Sequence, residues 1–267
     1  MAVHLIGVTN PNHSRTLQLV RCIQARGTLR VTGWGSKNLG IQGLGSLSSI
    51  LKLPFEVLFG LRKIYSAILE ADRDDTLVLS HPAQLNFIVS WPLLKVFRKK
   101  HLVDFYVSLY DTLVSDRKIV SPTSPLAWGL RKADQITLRY AGGVIFDSQS
   151  NAQRFGNLVK RGVGNIHIIY PRPPELFFRE ESKTQVKTDD VIFVGQFSPL
   201  QGLETIAKAL QDPRLLRYSF TLIGSGPERE ERHLEGLASN VTRISRVDYE
   251  DLAQIISKHR ISLGVFG

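Results

Sequence analysis

The chain is poor in sulfur, with Cys22 its single cysteine and Met1 its single methionine in 267 residues. One cysteine excludes an intramolecular disulfide and a thiolate zinc site, and it fits a reducing, cytoplasmic compartment. Long apolar runs are missing too. The best candidate, "LNFIVSWPLLKVF" from Leu85, is interrupted by Pro92 and falls short of the roughly 18 apolar residues a spanning helix needs. The N-terminus "MAVHLIGVTN" lacks the basic start and apolar core of a secretory signal. Low-complexity tracts and internal repeats are also absent, which excludes solenoid and disordered architectures.

What is present is ordinary in amount and uneven in placement. Hydrophobic residues make up 43% of the chain and charged residues 22%, typical of a folded protein with a sizeable core. The formal net charge is +10. Residues 1–170 carry 21 Lys and Arg against 10 Asp and Glu, whereas residues 171–267 carry 13 against 14. The asymmetry predicts two units, the basic one facing an anionic partner: nucleic acid, an anionic membrane surface or a phosphorylated substrate.

Short β-like runs alternate with helical patterns. "HLIGVT", "RVTGW", "TLVLSH", "LVDFYVSL", "GGVIFDS" and "IHIIYP" read as strands. Between the first two, "SRTLQLVRCIQARG" places Leu17, Val20 and Ile23 at helical spacing, with Ser14 as N-cap and Gly27 as stop. Nearly all-apolar strands separated by helices predict an α/β fold with parallel sheets covered on both faces. "RPPELFFREESKTQVKTDD" breaks the rhythm and reads as a linker over 172–188, between a domain at 1–171 and a second at 189–267. In the second, "VIFVG", "FTLIGSG", "VTRISRV" and "ISLGVFG" are strands, with helices over "LETIAKALQ", "EREERHLEGLAS" and "YEDLAQIISKHR". The stop on an apolar strand with no helix after it predicts a second domain that is incomplete at Gly267.

Two glycine-bearing turns in this second domain invite a phosphate reading. Gly195 and Gly202 bracket a strand-to-helix loop whose N–H groups could face an anion at the helix N-terminus. Gly224 and Gly226 form Gly-x-Gly followed by Pro227, without the third glycine of a dinucleotide fingerprint. Each alone is equally a plain turn. Taken in order, "VIFVGQFSPLQGLETIAKAL", "FTLIGSGPEREERHLEGLA" and "NVTRISRVDYEDLAQIISKHRISLGVFG" closely resemble the donor-binding domain of GT-B glycosyltransferases, of the large group-1 (family 4) retaining class. "VDFYVSLYDTLVSDRK" and "ADQITLRYAGGVIFDSQSNAQRF" resemble the acceptor domain of the same enzymes.

The resemblance implies two Rossmann-like domains, the second incomplete. It implies transfer of a sugar, with retention and without a divalent metal or other cofactor, from a nucleotide-sugar donor to a saccharide or lipid-linked acceptor. Such a hexosyltransferase would serve polysaccharide or cell-envelope synthesis. Donor contacts would come from Gly195, Gln196, Gln201, Gly202, Gly224 and Gly226, with Arg246 and Val247 beside the nucleobase. In the family Gln196 and Gln201 are usually Arg and Lys, and the family's paired glutamates would lie beyond Gly267. These departures leave a second reading open: an inactive glycan- or nucleotide-binding relative, or a subunit whose donor side a second chain completes.

On the acceptor side, strand ends predict the candidates. Asn10, Asn12 and His13 follow the first strand, His81 the third, and Asp111, Asp116 and Arg117 the fourth. A histidine there could polarise an acceptor hydroxyl, and Asp111 could orient or deprotonate it; each is also readable as a turn-capping residue. "LPFEVLFGLRKIYSAIL" and "NFIVSWPLLKVFRKKH" interleave apolar faces with Arg62, Lys63, Lys95, Arg98, Lys99 and Lys100. They fit either peripheral docking on anionic lipid or a core-facing helix with a solvated basic end. Nucleic acid is the least supported partner, because no aromatic-plus-basic stacking module is present.

Overall fold

A computed structural model describes residues 2–9, 11, 13–33, 47–159, 165–173, 177 and 189–264; within these, the side chains of 47–58, 158 and 249 are not described. Most of the predicted linker at 172–188 therefore lies outside the described residues. The chain divides into two compact units, 1–111 with 122–172, and 112–121 with 173–267.

The first unit runs β1 (Ala2–Val8), α1 (Ser14–Gln24), β2 (Thr28–Gly33), α2 (Leu47–Glu70), β3 (Thr76–Leu79), α3 (Ala83–Val96), β4 (Lys100–Asp104), α4 (Pro125–Tyr140), β5 (Gly143–Phe146), α5 (Gln149–Leu158) and β6 (Asn165–Ile168). Its six strands are parallel, in the order β2-β1-β3-β4-β5-β6. Alternation within a strand sends successive side chains to opposite faces. Ile6, Leu77, Leu79 and Val103 join Ile64, Ile68, Phe87 and Leu94 in one buried cluster. Leu5, Val78 and Ile145 join Leu19 in another. Both faces are therefore apolar, which is why these strands lack a polar period.

The second unit contains β7 (Asp189–Val194), α6 (Leu203–Leu210), β8 (Phe220–Ile223), α7 (Glu228–Glu231), β9 (Val241–Ile244), α8 (Tyr249–Ser257) and β10 (His259–Leu263). Its parallel sheet has the order β10-β7-β8-β9. Val191, Phe193, Phe220 and Leu222 pack under Leu203, Ile206 and Leu210 of α6. Each such residue fully buried contributes about 1.5–3 kcal/mol. The predicted helix over "EREERHLEGLAS" is much shorter: α7 has 4 residues and passes into a 3-10 turn over Arg232–Leu234. Glycine at 236 takes φ +69° and ends the helical path there.

Candidate functional site

In an open α/β sheet ligands bind beyond the carboxyl ends of the strands, where the strand order reverses. In the second unit the chain steps from β7 to β8 to β9, then crosses back to place β10 on the far side of β7. The switch point is thus between β7 and β10, and residues 195–202 form the loop on its β7 side. That loop contains a short 3-10 turn at Pro199–Gln201 and ends at Gly202, which caps α6 in the left-handed conformation (φ 67°) with no side-chain cap. The leading N–H groups of α6 are therefore left to water or to an anion. Gln201 folds its side chain over Gly195; a Cβ at Gly195 would stand 3.1 Å from the Gln201 Oε1. Gln196 is exposed.

The second glycine turn packs directly on the first. The Gly195 N–H donates to the Ile223 carbonyl at 3.0 Å and the Phe197 N–H to the Ser225 carbonyl at 3.0 Å. Gly224 adopts φ +148°, and a Cβ there would lie 1.8 Å from the Gly195 carbonyl oxygen; at Gly226 the clash is with the Phe197 carbonyl, at 2.0 Å. These glycines are required for one loop to lie on the other. The Gly226 N–H is already engaged, donating to the Glu231 carboxylate at 2.9 Å, and Glu231 in turn pairs with Arg243 at 3.4 Å. Of the predicted donor contacts, 195–202 and 224–226 are therefore brought together. Arg246, exposed, and Val247, half-buried, follow β9, two strands and so about 10 Å along the sheet from β7.

A cavity of about 550 Å³ also lies in this unit, but its walls include Val191, Ile206, Leu210, Phe220, Ile261 and Leu263. These residues sit beside the edge strand β10 and away from the glycine loops. The recess is mostly apolar, and the cation in its lining, Arg260, faces Asp190 at 4.0 Å, so it offers a diphosphate little.

In the first unit the switch point falls between β1 and β3, so the loops after those strands flank it. Buried Asn86 (0% exposed) ties them together, donating to the Gly7 carbonyl at 3.1 Å and the Ser80 carbonyl at 2.8 Å. Thr9 Oγ1 donates to the His81 carbonyl at 3.4 Å. His13, rather than Ser14, caps α1: its Nδ1 accepts the Arg15 N–H at 3.3 Å. Its ring stands edge-on to Tyr106 at 6.4 Å. Next to it, buried Arg15 forks onto buried Asp104 (2.7 Å), donates to the Ile169 carbonyl (2.6 Å) and lies over Tyr106. Burial pushes the Asp104 carboxyl and the Tyr106 hydroxyl up, while Arg15 pulls both down.

The loop after β4 is held by Asp134 of α4. Its carboxylate accepts from Ser108 Oγ (2.7 Å), the Leu109 N–H (3.0 Å), the Tyr110 N–H (3.1 Å) and Gln84 Nε2 (2.9 Å). Burial pushes this carboxyl up and those bonds pull it down. Asp111, the next residue but one from Leu109, pairs with Arg154 at 2.8 Å. His13, His81 and Asp111 thus share the carboxyl edge of one sheet, on three different loops. Asp116 and Arg117 fall in 112–121, which groups with the second unit. Asn10 and Asn12 lie outside the described residues. Sequence reasoning missed Asn86, Arg15, Asp104 and Asp134, whose partners are distant in the chain and leave no local pattern.

Among the described residues no group of three or more His, Cys, Asp or Glu could hold a metal ion. The chain's Asp-x-Asp triplet, Asp72-Arg73-Asp74, sits in the exposed turn before β3, at the opposite end of the strands from these loops. No helix among the described residues is long and apolar enough to cross a membrane.

No family model and no curated protein matches the sequence. Solved structures do match in fold. Sucrose-phosphate synthase from Thermosynechococcus elongatus superposes with a TM-score of 0.65 at 16% identity, over 100% of this chain and 77% of that one. HepE from Anabaena, solved with UDP and glucose, gives 0.53 at 17% identity over 98% and 73%. TarM from S. aureus, solved as a G117R mutant with fondaparinux, alpha-GlcNAc-glycerol and UDP, gives 0.52 at 13% over 77% and 40%. The fold is that of GT-B glycosyltransferases, two Rossmann-like parallel-sheet units of which the second is the smaller.

Proposed function

We propose that the chain is a glycosyltransferase that moves a sugar from a nucleotide-sugar donor to a saccharide or lipid-linked acceptor, with retention and without a metal ion. The observation that carries this reading is the switch point between β7 and β10, bordered by the 195–202 loop and the uncapped start of α6. The donor diphosphate would lie against that loop, stabilised by the leading N–H groups and the positive end of α6. UDP in the HepE and TarM structures supports the donor class. On the acceptor side, His13 and His81 polarise the hydroxyl and Asp111 orients it, once Asp111 exchanges Arg154 for the substrate.

The reading carries a cost at Gln196 and Gln201. A charge-assisted bond to phosphate contributes about 1.5–3 kcal/mol and a neutral one about 0.5–1.5, so donor binding is expected to be weaker than with cations at these two positions. A second reading, a nucleotide- or glycan-binding relative or a subunit completed by another chain, has its own observation in favour. Edge strand β10 leaves Ile261 55% exposed beside an apolar recess. Calorimetric titration with UDP, GDP and their glucose conjugates tests the first reading. Saturable binding of one nucleotide series is expected, and heats indistinguishable from dilution for all of them would rule out a donor site in this chain.

A further inference from the structure

The first unit presents a surface that the glycosyl-transfer reading does not use. Helices α2, α3 and α4 link β2 to β3, β3 to β4 and β4 to β5, right-handed crossovers that run the same way across the sheet, so they cover one of its faces. Direct contacts join them: Tyr65 of α2 donates to the Val89 carbonyl of α3 at 3.1 Å, and Trp91 of α3 meets Tyr140 of α4 at 5.3 Å. Their outer stripes therefore look the same way.

Each stripe carries the same device, an aromatic ring with a lysine four residues later and folded over it. Lys63 lies 4.7 Å from the Phe59 ring, Lys95 5.4 Å from Trp91 and Lys132 5.7 Å from Trp128. Around them the surface is apolar well beyond what a solvated helix face needs. On α3, Leu85, Ile88 and Val96 share the outer face with Lys95, and Val96 is 72% exposed. On α4, Trp128 and Ile136 share it with Lys132 and Arg139, and Trp128 is 66% exposed.

On α3 and α4 the exposed charge is of one sign, whereas on α2 the exposed Glu70 shares the stripe of Phe59 and Lys63. From residue 83 to 103 there are four Lys and Arg and no Asp or Glu. On α4 the sole carboxylate, Asp134, is buried at 4% exposure and turned to the β4 loop. On α3 and α4, rings and aliphatics set among cations, without exposed carboxylates, match the headgroup region of an anionic bilayer. There the rings and alkyl chains enter the interface while the ammonium groups meet the phosphates. A duplex or an acidic peptide would meet the same cations but leave Leu85, Ile88, Val96 and Ile136 unused.

We propose that the α3–α4 face of the first unit docks on an anionic lipid surface, with Trp91 and Trp128 at headgroup depth and Phe59 of α2 at its margin. The proposal does not rest on the donor-site reading, and its test needs no nucleotide. The full chain is sedimented with vesicles of phosphatidylcholine alone and with vesicles containing about one third phosphatidylglycerol, and its affinity for a labelled RNA oligonucleotide is measured beside them.

Binding to the anionic vesicles alone is expected, weakened at least tenfold by Lys95→Glu with Lys132→Glu, and separately weakened several-fold by Trp128→Ser. These positions are exposed, and unchanged thermal melts verify that the variants are folded. Absence of vesicle binding, equal binding to both vesicles, insensitivity to the variants, or RNA binding tenfold tighter than vesicle binding would each overturn it; the last would assign the face to nucleic acid.

Discussion

The two units arrange their strand-end loops by different means. In the first, buried polar side chains reach between elements: Asn86 binds the ends of β1 and β3, Asp134 gathers the loop after β4, and Arg15 locks onto Asp104. In the second, the loops after β7 and β8 are stitched backbone to backbone, and glycine makes the approach possible. Side-chain ties need desolvated charges to stay paired and so fail when one partner is removed. Glycine ties need empty space and fail when a methyl is added. The second device uses up the Gly195 and Phe197 N–H groups but leaves the start of α6 without a side-chain cap, which is what an anion needs.

Adding that methyl should undo the tie in the second unit. Gly224→Ala is expected to destabilise the second unit by more than about 4 kcal/mol, because a Cβ there meets a backbone oxygen that cannot withdraw. Denaturant unfolding should show the loss in a transition separate from that of the first unit. Arg15→Ala should do the converse, costing the first unit about 3–4 kcal/mol by leaving Asp104 buried and unpaired. Equal losses in both transitions for either variant would mean that the ties are not local to their units.

Gln201→Lys probes the loop's function. A cation in the otherwise neutral loop should raise nucleotide-diphosphate affinity about tenfold, or ~1.4 kcal/mol, as read by calorimetry. An unchanged affinity would place the diphosphate elsewhere.

The smallest effect is in acid. The Ala2 N–H and then His4 hold the Asp75 carboxyl down to about 2, below its ordinary 3.8. A carboxyl depressed in the folded state stabilises the fold above its unfolded value and ceases to do so as pH falls towards 2. Replacing it by Asn should flatten the stability profile of the first unit between about pH 4 and 2. Asp212, also depressed to about 2, has its partner Arg214 two residues away. That pair can form in the unfolded chain too, so Asp212→Asn should change the profile less.

The sequence made the alternation of strands and helices legible because parallel strands buried on both faces are nearly continuous apolar runs, as in "VIFVG" and "GGVIFDS". The glycine loops were legible as turns at strand ends. Their mutual packing was not, since nothing local in "GSG" says that the carbonyl of Gly195 will occupy the place of a side chain. Arg15 and Asp104 are 89 residues apart and Asn86 and Gly7 are 79 apart. Periodicity carries no signal for such pairs. The cap of α1 was missed by one position because histidine can cap as serine does, through Nδ1. The length of α7 was overread, as its charged residues have helical propensity but too few apolar partners beneath them.

On the proposed function, the loops at 195–202 and 224–226 face a nucleotide diphosphate. Amide hydrogen exchange of the full chain with and without saturating UDP tests it most directly. Slowed exchange concentrated in these loops and the first turn of α6 is expected, with the first unit's loops unchanged. Protection confined to other segments, or none at any UDP concentration, would contradict it.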